Sequence, residues 1–259
     1  MVTVVTSWDE GKKSDVRLAK LLDKHGLLGT FYVCTGEATE ASPLTFGRDG
    51  QYTPKDIGRC LTPAEIRNIG QRHEIGAHTQ THPRLSELDE GRIEQEIVIS
   101  KNRLEGITGK SITSFSYPFG GRSDWDERAV RILKRHGFTN ARTSGRFCIE
   151  HPRWPFAITP TWEAFPRSVP AGPRYMRELI SSIGPDRTLV RAVLAGSDWT
   201  AHARMLFDAA KRRNDVFHLW GHAWMIDKWN MWKDLDELLG WISGQDIKPK
   251  TVGGLWMQQ

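Results

Sequence analysis

Hydrophobic periodicity that switches repeatedly between strand and helix is the feature that most constrains this 259-residue chain. Residues 2–7 form a β-branched run and read as a buried strand. Ser14 is placed to cap a helix reaching about residue 25, with Val16, Leu18, Leu21 and Leu22 apolar and Gly26 as its stop. Residues 28–34 are a second strand, and residues 36–60 read as a loop rich in turn formers. Thr62-Pro63-Ala64-Glu65 combines an N-cap, a first-position proline and a third-position glutamate, so a helix runs from there to about residue 72. Strands follow at 74–78, 112–117 and 138–143, separated by helices over 89–106 and 126–136. Beyond residue 145 the pattern is less regular. It suggests short strands within 146–169, two or three helices within 175–213, a strand at 215–220, a helix at 229–243 and a terminal strand or tail from 251. Strand and helix in alternation specify a parallel sheet with crossover helices in one α/β domain.

Composition excludes several classes. Hydrophobic content of 39% and charged content of 26% are those of a globular protein. No stretch nears the roughly 20 apolar residues of a membrane helix, so no membrane span is expected. Residues 1–11 show neither a basic start nor an apolar run ending in a cleavage site; a cytoplasmic protein is expected unless a leader precedes them. Cys34, Cys60 and Cys148 lie too far apart for a zinc ribbon or a disulfide framework. The net charge is +5, but basic residues alternate with acids and form no basic–aromatic groove, so no nucleic-acid partner is expected. Of the 11 tryptophans, six lie between Trp199 and Trp241. Their rings can stack on sugars or fill the core. Nothing points to an oligomeric state.

The acids and histidines fall where a parallel sheet would use them. Asp9-Glu10 follows the first strand, His78 and His82 the third, and His222 the late strand, so all can converge on one rim. His78-Thr79-Gln80-Thr81-His82 spaces two imidazoles so that a helical turn would aim both at one point. Two neutral imidazoles and a carboxylate suit a divalent metal with an open position. Adjacent acids are usually a polar turn, but these are pinned between a strand and Gly11. On an extended chain they would point in opposite directions, one to a metal and one to a proton. Alternation puts His218, Trp220 and His222 on one face, where a histidine could protonate a leaving amine. At Tyr117-Pro118-Phe119-Gly120 the Tyr117 N–H is expected to point into the rim, where it could stabilise an oxyanion.

These pieces in order resemble the polysaccharide deacetylase (NodB-homology, carbohydrate esterase family 4-like) family. The resemblance rests on Thr6-Ser7-Trp8-Asp9-Glu10-Gly11, His78-Thr79-Gln80-Thr81-His82-Pro83, Ser116-Tyr117-Pro118-Phe119-Gly120 and Leu219-Trp220-Gly221-His222. It covers roughly residues 3–145 and 215–255 and leaves residues 146–214 unmatched. It implies a distorted (β/α)7-type barrel and hydrolytic removal of an acyl group. It also implies Asp9 as general base, Glu10, His78 and His82 as metal ligands, the Tyr117 N–H as oxyanion donor and His222 as general acid. Zinc is the implied metal, with cobalt, nickel or manganese as substitutes.

Three positions depart from the family's usual pattern. Glu10 stands where an aspartate is usual. Ser116 stands where an arginine often orients the base, and Arg142 at the fifth strand's end is a candidate substitute. The last motif has one residue more than Leu-x-His, and His222 is preferred to His218. Trp8, Pro118, Arg142, His218 and Trp220 are supporting or substrate-binding candidates. The expected substrate is an acylated carbohydrate. Alternatives are a small non-sugar or cyclic amide, opened or deformylated by a related hydrolase, and an inactive carbohydrate-binding module.

Overall fold

The computed structural model describes residues 1–36, 58–165 and 198–256. In it the N-terminal β-branched run becomes β1 (Val2–Glu10), which extends further than its apolar residues alone suggest. There follow α1 (Asp15–Lys24), β2 (Gly29–Val33), α2 (Pro63–Ile69), β3 (Glu74–Ala77), α3 (Glu90–Thr108), β4 (Ser114–Ser116), α4 (Glu127–Arg135) and β5 (Asn140–Arg142). After β5 come β6 (Trp162–Glu163), α5 (Trp199–Arg213), β7 (Val216–Gly221), α6 (Ala223–Lys228), α7 (Trp232–Ser243) and β8 (Ile247–Lys250). The 175–213 helices lie outside the described residues up to residue 197, and so does most of the 36–60 loop.

Helix ends follow the local chemistry. Thr62 and Glu65 form a reciprocal capping box at α2. Asp89 accepts from the Arg92 N–H at 2.9 Å, and Gly109, with φ +66°, ends α3 in the left-handed conformation glycine tolerates. Ser14 does not cap α1. Its own backbone is already helical, and Asp15 instead accepts from the Lys12 N–H at 2.9 Å. The helix expected at 229–243 is α7, which starts at Trp232 after Asn230 turns the chain with φ +50°, and a further short helix, α6, precedes it. The terminal strand is not at 251 onward but earlier, as β8, and residues Gly253–Leu255 form a 3₁₀ turn.

All strand pairs are parallel, in the order β5-β4-β3-β2-β1-β7-β6, with β8 also on β1. Thr6–Glu10 of β1 pair with β2, whereas Val2–Val5 pair with β8, so the two strands share one edge of β1 while β7 holds the other. The sheet curls and is closed by one segment. Ile158 bridges to Arg142 at the end of β5, and Trp162 and Glu163 then pair with β7. The result is a distorted (β/α) barrel with seven strands on its path and β8 as a fork.

Two apolar clusters divide the packing. The larger joins the sheet's outer face to the helices, through residues such as Val4, Trp8, Leu18, Phe31, Ile93, Phe115 and Leu235. The smaller, of Val5, Tyr32, Ile158, Val216, Val252 and Leu255, fills the barrel near the strand starts. Above it the interior is polar, and several of its side chains pair with one another. Ser7 Oγ lies 2.8 Å from His218 Nε2, and Tyr32, Ser114 and Asn140 form a chain at 2.9 and 2.7 Å. A barrel plugged at the strand starts leaves the strand ends as its open side. The three cysteines form no disulfide. Among the described residues no helix is long and apolar enough to cross a membrane.

Candidate metal centre and rim

Strands that all run one way bring their C-terminal ends to one rim, and four of the expected groups meet there. Glu10 Oε1 lies 3.3 Å from His82 Nε2, 3.8 Å from His78 Nε2 and 3.9 Å from His222 Nε2. His222 is the most open of these, its side chain 14% exposed against 1% for Glu10. It precedes α6 and packs near the rings of Trp220 and Trp224, with centroids at 5.6 and 5.8 Å.

Asp9 and Glu10 do not point apart as an extended chain would have them. Glu10 has φ +88° and Gly11 φ +68°, and this left-handed pair turns the Glu10 carboxylate back over the rim. A non-glycine residue in that region carries strain of about 1–3 kcal/mol, held by its surroundings. At Gly11 a Cβ would stand 2.7 Å from Val33 Cγ1, so glycine is required twice over. His78 Nε2 is in consequence 4.0 Å from Asp9 Oδ2 as well as close to Glu10.

The histidine segment is a tight loop rather than the helical turn expected. Thr79 and His82 are both left-handed, with φ of +64° and +60°. Thr79 Oγ1 donates to the His78 carbonyl at 2.5 Å and accepts from the His82 N–H at 3.0 Å. His78 Nδ1 donates to the Ser116 carbonyl at 2.8 Å, which fixes the tautomer and leaves Nε2 to offer a lone pair to the rim.

Burial by itself would raise the Glu10 pKa, but His82, His78 and His222 outweigh it and hold the carboxyl down to about 2. Burial dominates at His82, whose pKa falls to about 4. Burial also opposes charge on His78, yet the Asp9 charge and the hydrogen bond and charge of Glu10 together raise its pKa. The set therefore offers one anionic carboxylate and two imidazoles.

Its unmet needs match a cation. Glu10 Oε2 and Asp9 Oδ1 are buried with no hydrogen-bond partner among the described residues, which a native interior rarely tolerates. One ligand atom each from Glu10, His78 and His82 lies within 4.8 Å of the others. Two imidazoles and one carboxylate are the donors of an open divalent site, so the residues present fit a metal ion.

Asp9 is held separately. Arg142, at the end of β5 and 1% exposed, pairs its Nη2 with Asp9 Oδ2. The same guanidinium donates to Ser116 Oγ at 2.6 Å and to the Thr143 carbonyl at 2.9 Å. Its faces meet the rings of Trp220 and Tyr32, at 4.6 and 5.4 Å to the centroids.

Other candidates sit elsewhere. The Tyr117 N–H is not free for an oxyanion: it donates to the Arg142 carbonyl at 3.1 Å, a ladder bond between neighbouring strands. The Tyr117 hydroxyl is buried too, donating to the Phe156 carbonyl at 3.1 Å. Pro118 has no N–H to offer, so the next donor along the turn is Phe119. Its ring packs 4.8 Å from that of His82, and its N–H meets no backbone acceptor among the described residues. Trp8 is fully buried in the outer core with its indole N–H on Thr6 Oγ1 at 3.0 Å, so it touches no substrate. His218 lies two residues deeper than Trp220, tied to Ser7 and kept neutral by burial and by Arg142. Trp220 packs its ring against Arg142. Sequence reasoning missed Phe119, the acceptor roles of Ser116 and the contribution of Thr79. Only Thr79, inside the histidine motif, carried a visible signal.

A family model described as polysaccharide deacetylase matches residues 2–141. The chain belongs to the polysaccharide deacetylase family. The matched span includes Asp9, Glu10, His78 and His82 and ends one residue before Arg142. No curated protein matches the chain. Among solved structures, it is similar to a Streptococcus pyogenes deacetylase solved in complex with acetate, at 20% identity, 54% of this chain, 55% of that one and a TM-score of 0.44. It is also similar to a mutant of a CE4 family pseudoenzyme with restored enzymatic activity, at 14% identity, 98% of this chain, 66% of that one and a TM-score of 0.53. A third is the CE4 domain of a multidomain xylanase from the hindgut metagenome of Trinervitermes trinervoides, at 9% identity, 98% of this chain, 89% of that domain and a TM-score of 0.53. The chain thus spans less than two thirds of the first two. At these identities the likeness is one of fold. The family and the Glu10–His78–His82 cluster together support a metal-dependent acyl hydrolase as the coarse description.

Proposed function

We propose that this polysaccharide deacetylase relative hydrolyses an amide, removing an acyl group, N-acetyl foremost, from a carbohydrate with the help of a divalent ion, zinc first among candidates. The observation that carries the proposal is the division of labour between neighbouring carboxylates. Glu10 faces three imidazole nitrogens, while Asp9 is paired with a buried arginine and keeps one oxygen without a partner.

Glu10, His78 and His82 would hold the ion, which when bound supplies a Lewis acid for the acyl oxygen and an acidified water. Asp9 accepts the proton of the attacking water on Oδ1, its other oxygen being engaged by Arg142. Arg142 keeps Asp9 oriented and balances its charge, as the resemblance assigns to an arginine from the preceding strand. The Phe119 N–H, in place of that of Tyr117, faces the developing oxyanion. His222, the most open imidazole of the rim, protonates the departing nitrogen. The rings of Trp220 and Trp224 pack against its own.

The test measures acetate released from acetylated chito-oligosaccharides, and ring opening or deformylation of small amides, before and after chelation and metal return. Metal-dependent acetate release supports the proposal. Turnover of small cyclic amides alone would move the substrate class, and sugar binding without any release would leave a binding module.

A further inference from the structure

The loop that carries both histidine ligands has an unusual set of backbone partners, and one of them comes from outside the rim. The loop's peptide groups are met one by one. The His78 N–H donates to the Val33 carbonyl at 3.2 Å. The Thr79 and Gln80 carbonyls accept from the N–H groups of Thr35 and Gly36 at 3.2 and 2.6 Å. Cys34 Sγ donates to the Gln80 carbonyl as well, at 3.1 Å. The segment after β2 thus holds the loop's acceptors. The donors at its centre are held by one side chain of α3: Glu96 Oε2 accepts from the Gln80 N–H at 2.9 Å and the Thr81 N–H at 2.8 Å, and Glu96 Oε1 from the Thr81 hydroxyl at 2.6 Å.

Glu96 is 5% exposed, and acids are rarely buried without such partners. The two N–H groups it takes lie between Thr79 and His82, the two left-handed residues whose conformation points His82 Nε2 at Glu10. Without an acceptor there, two donors of the strained turn lose their buried partner; the bonds of Thr79, Thr35 and Gly36 remain, and His82 would be held less firmly toward Glu10. From these contacts we infer that Glu96 is a positioning residue for the metal centre, acting through the Gln80–Thr81 peptides to fix the approach of His82. Partners that orient metal ligands in this way commonly change affinity about 10- to 100-fold when removed. The inference rests on the metal-binding reading of Glu10, His78 and His82.

The test is zinc affinity by chelator competition, together with the visible spectrum of the cobalt-loaded protein, for wild type, Glu96→Ala and Glu96→Gln. Glutamine can put its carbonyl oxygen on both N–H groups and its amide on Thr81 Oγ1, so it keeps the contacts and loses only the charge. Glu96→Ala is expected to bind zinc about 10- to 100-fold more weakly and to alter the cobalt bands, while Glu96→Gln stays within about threefold of wild type. Zinc binding by folded Glu96→Ala within about threefold of wild type, with an unchanged cobalt spectrum, would overturn the inference. So would a glutamine variant as weak as the alanine one, since contact geometry would then not be what Glu96 supplies. Should Glu96→Ala not fold, Glu96→Asp withdraws the carboxylate by one methylene and is expected to weaken zinc about tenfold, with wild-type affinity as the contrary result. If wild type itself binds no metal, the fault lies with the metal-centre reading and not with Glu96.

Discussion

Replacing Arg142 by methionine tests whether the rim is built as an ion pair or merely packed. Methionine is unbranched and fills much of the same space between Tyr32 and Trp220, so the change removes charge and hydrogen bonds more than volume. What remains is Asp9, with a side chain 5% exposed and its principal cation gone. Stranding one member of a buried pair destabilises by about 3–5 kcal/mol. In a domain of this size that lowers the melting temperature by roughly 10 °C. Adding Asp9→Asn removes the stranded charge, so the double variant should lose only the hydrogen bonds to Ser116 Oγ and the Thr143 carbonyl, about 2 kcal/mol in total. The coupling between the two sites should then be at least about 1–3 kcal/mol, and larger by whatever Asp9→Asn costs alone. The assay is urea unfolding of metal-free wild type, both single variants and the double. Loss of less than about 1 kcal/mol in Arg142→Met, or a double variant equal to the sum of the singles, would refute a buried pair.

Asp9→Asn alone is expected to abolish acyl release while sparing zinc binding, read by single-turnover acetate release beside metal content; near-normal turnover would mean that Asp9 is not the base. A second prediction concerns Asp15, which is buried beneath the rim with Oδ1 unpartnered, and whose pKa burial raises well above the usual carboxylate range. A raised native pKa favours the fold below the unfolded pKa, and that contribution is lost as pH rises through the native value. Urea midpoints should therefore decline with pH above the ordinary carboxylate range in wild type, and less so in Asp15→Asn; parallel pH profiles would contradict it.

Much of the rim was legible because its groups lie next to strands the sequence marks clearly. Asp9-Glu10 follows a β-branched run, and His78 and His82 follow a short strand opened by Glu74. Arg142 was legible only as a strand-end arginine, since its pairing with Asp9 depends on the curl that brings β5 around to β1. Tyr117 misled for a related reason. Whether its N–H is free depends on the register of β4 against β5, where Arg142 supplies the acceptor, and one sequence does not specify that register. The φ of Glu10 was hidden because acids rarely adopt it, and Gly11 was the sole local hint. β8 was missed because Lys248-Pro249-Lys250 lacks strand character; it holds its place by pairing with β1. α6 was missed because six residues are too few for helical periodicity to show.

Metal content of the purified protein, wild type beside His78→Ala, decides whether Glu10, His78 and His82 hold an ion. About one divalent ion per chain is expected in wild type, by plasma mass spectrometry, and its loss in the variant, as for a site of three protein ligands. A wild type that holds no ion even after zinc is returned, or a His78→Ala variant that keeps it, would rule out the metal centre.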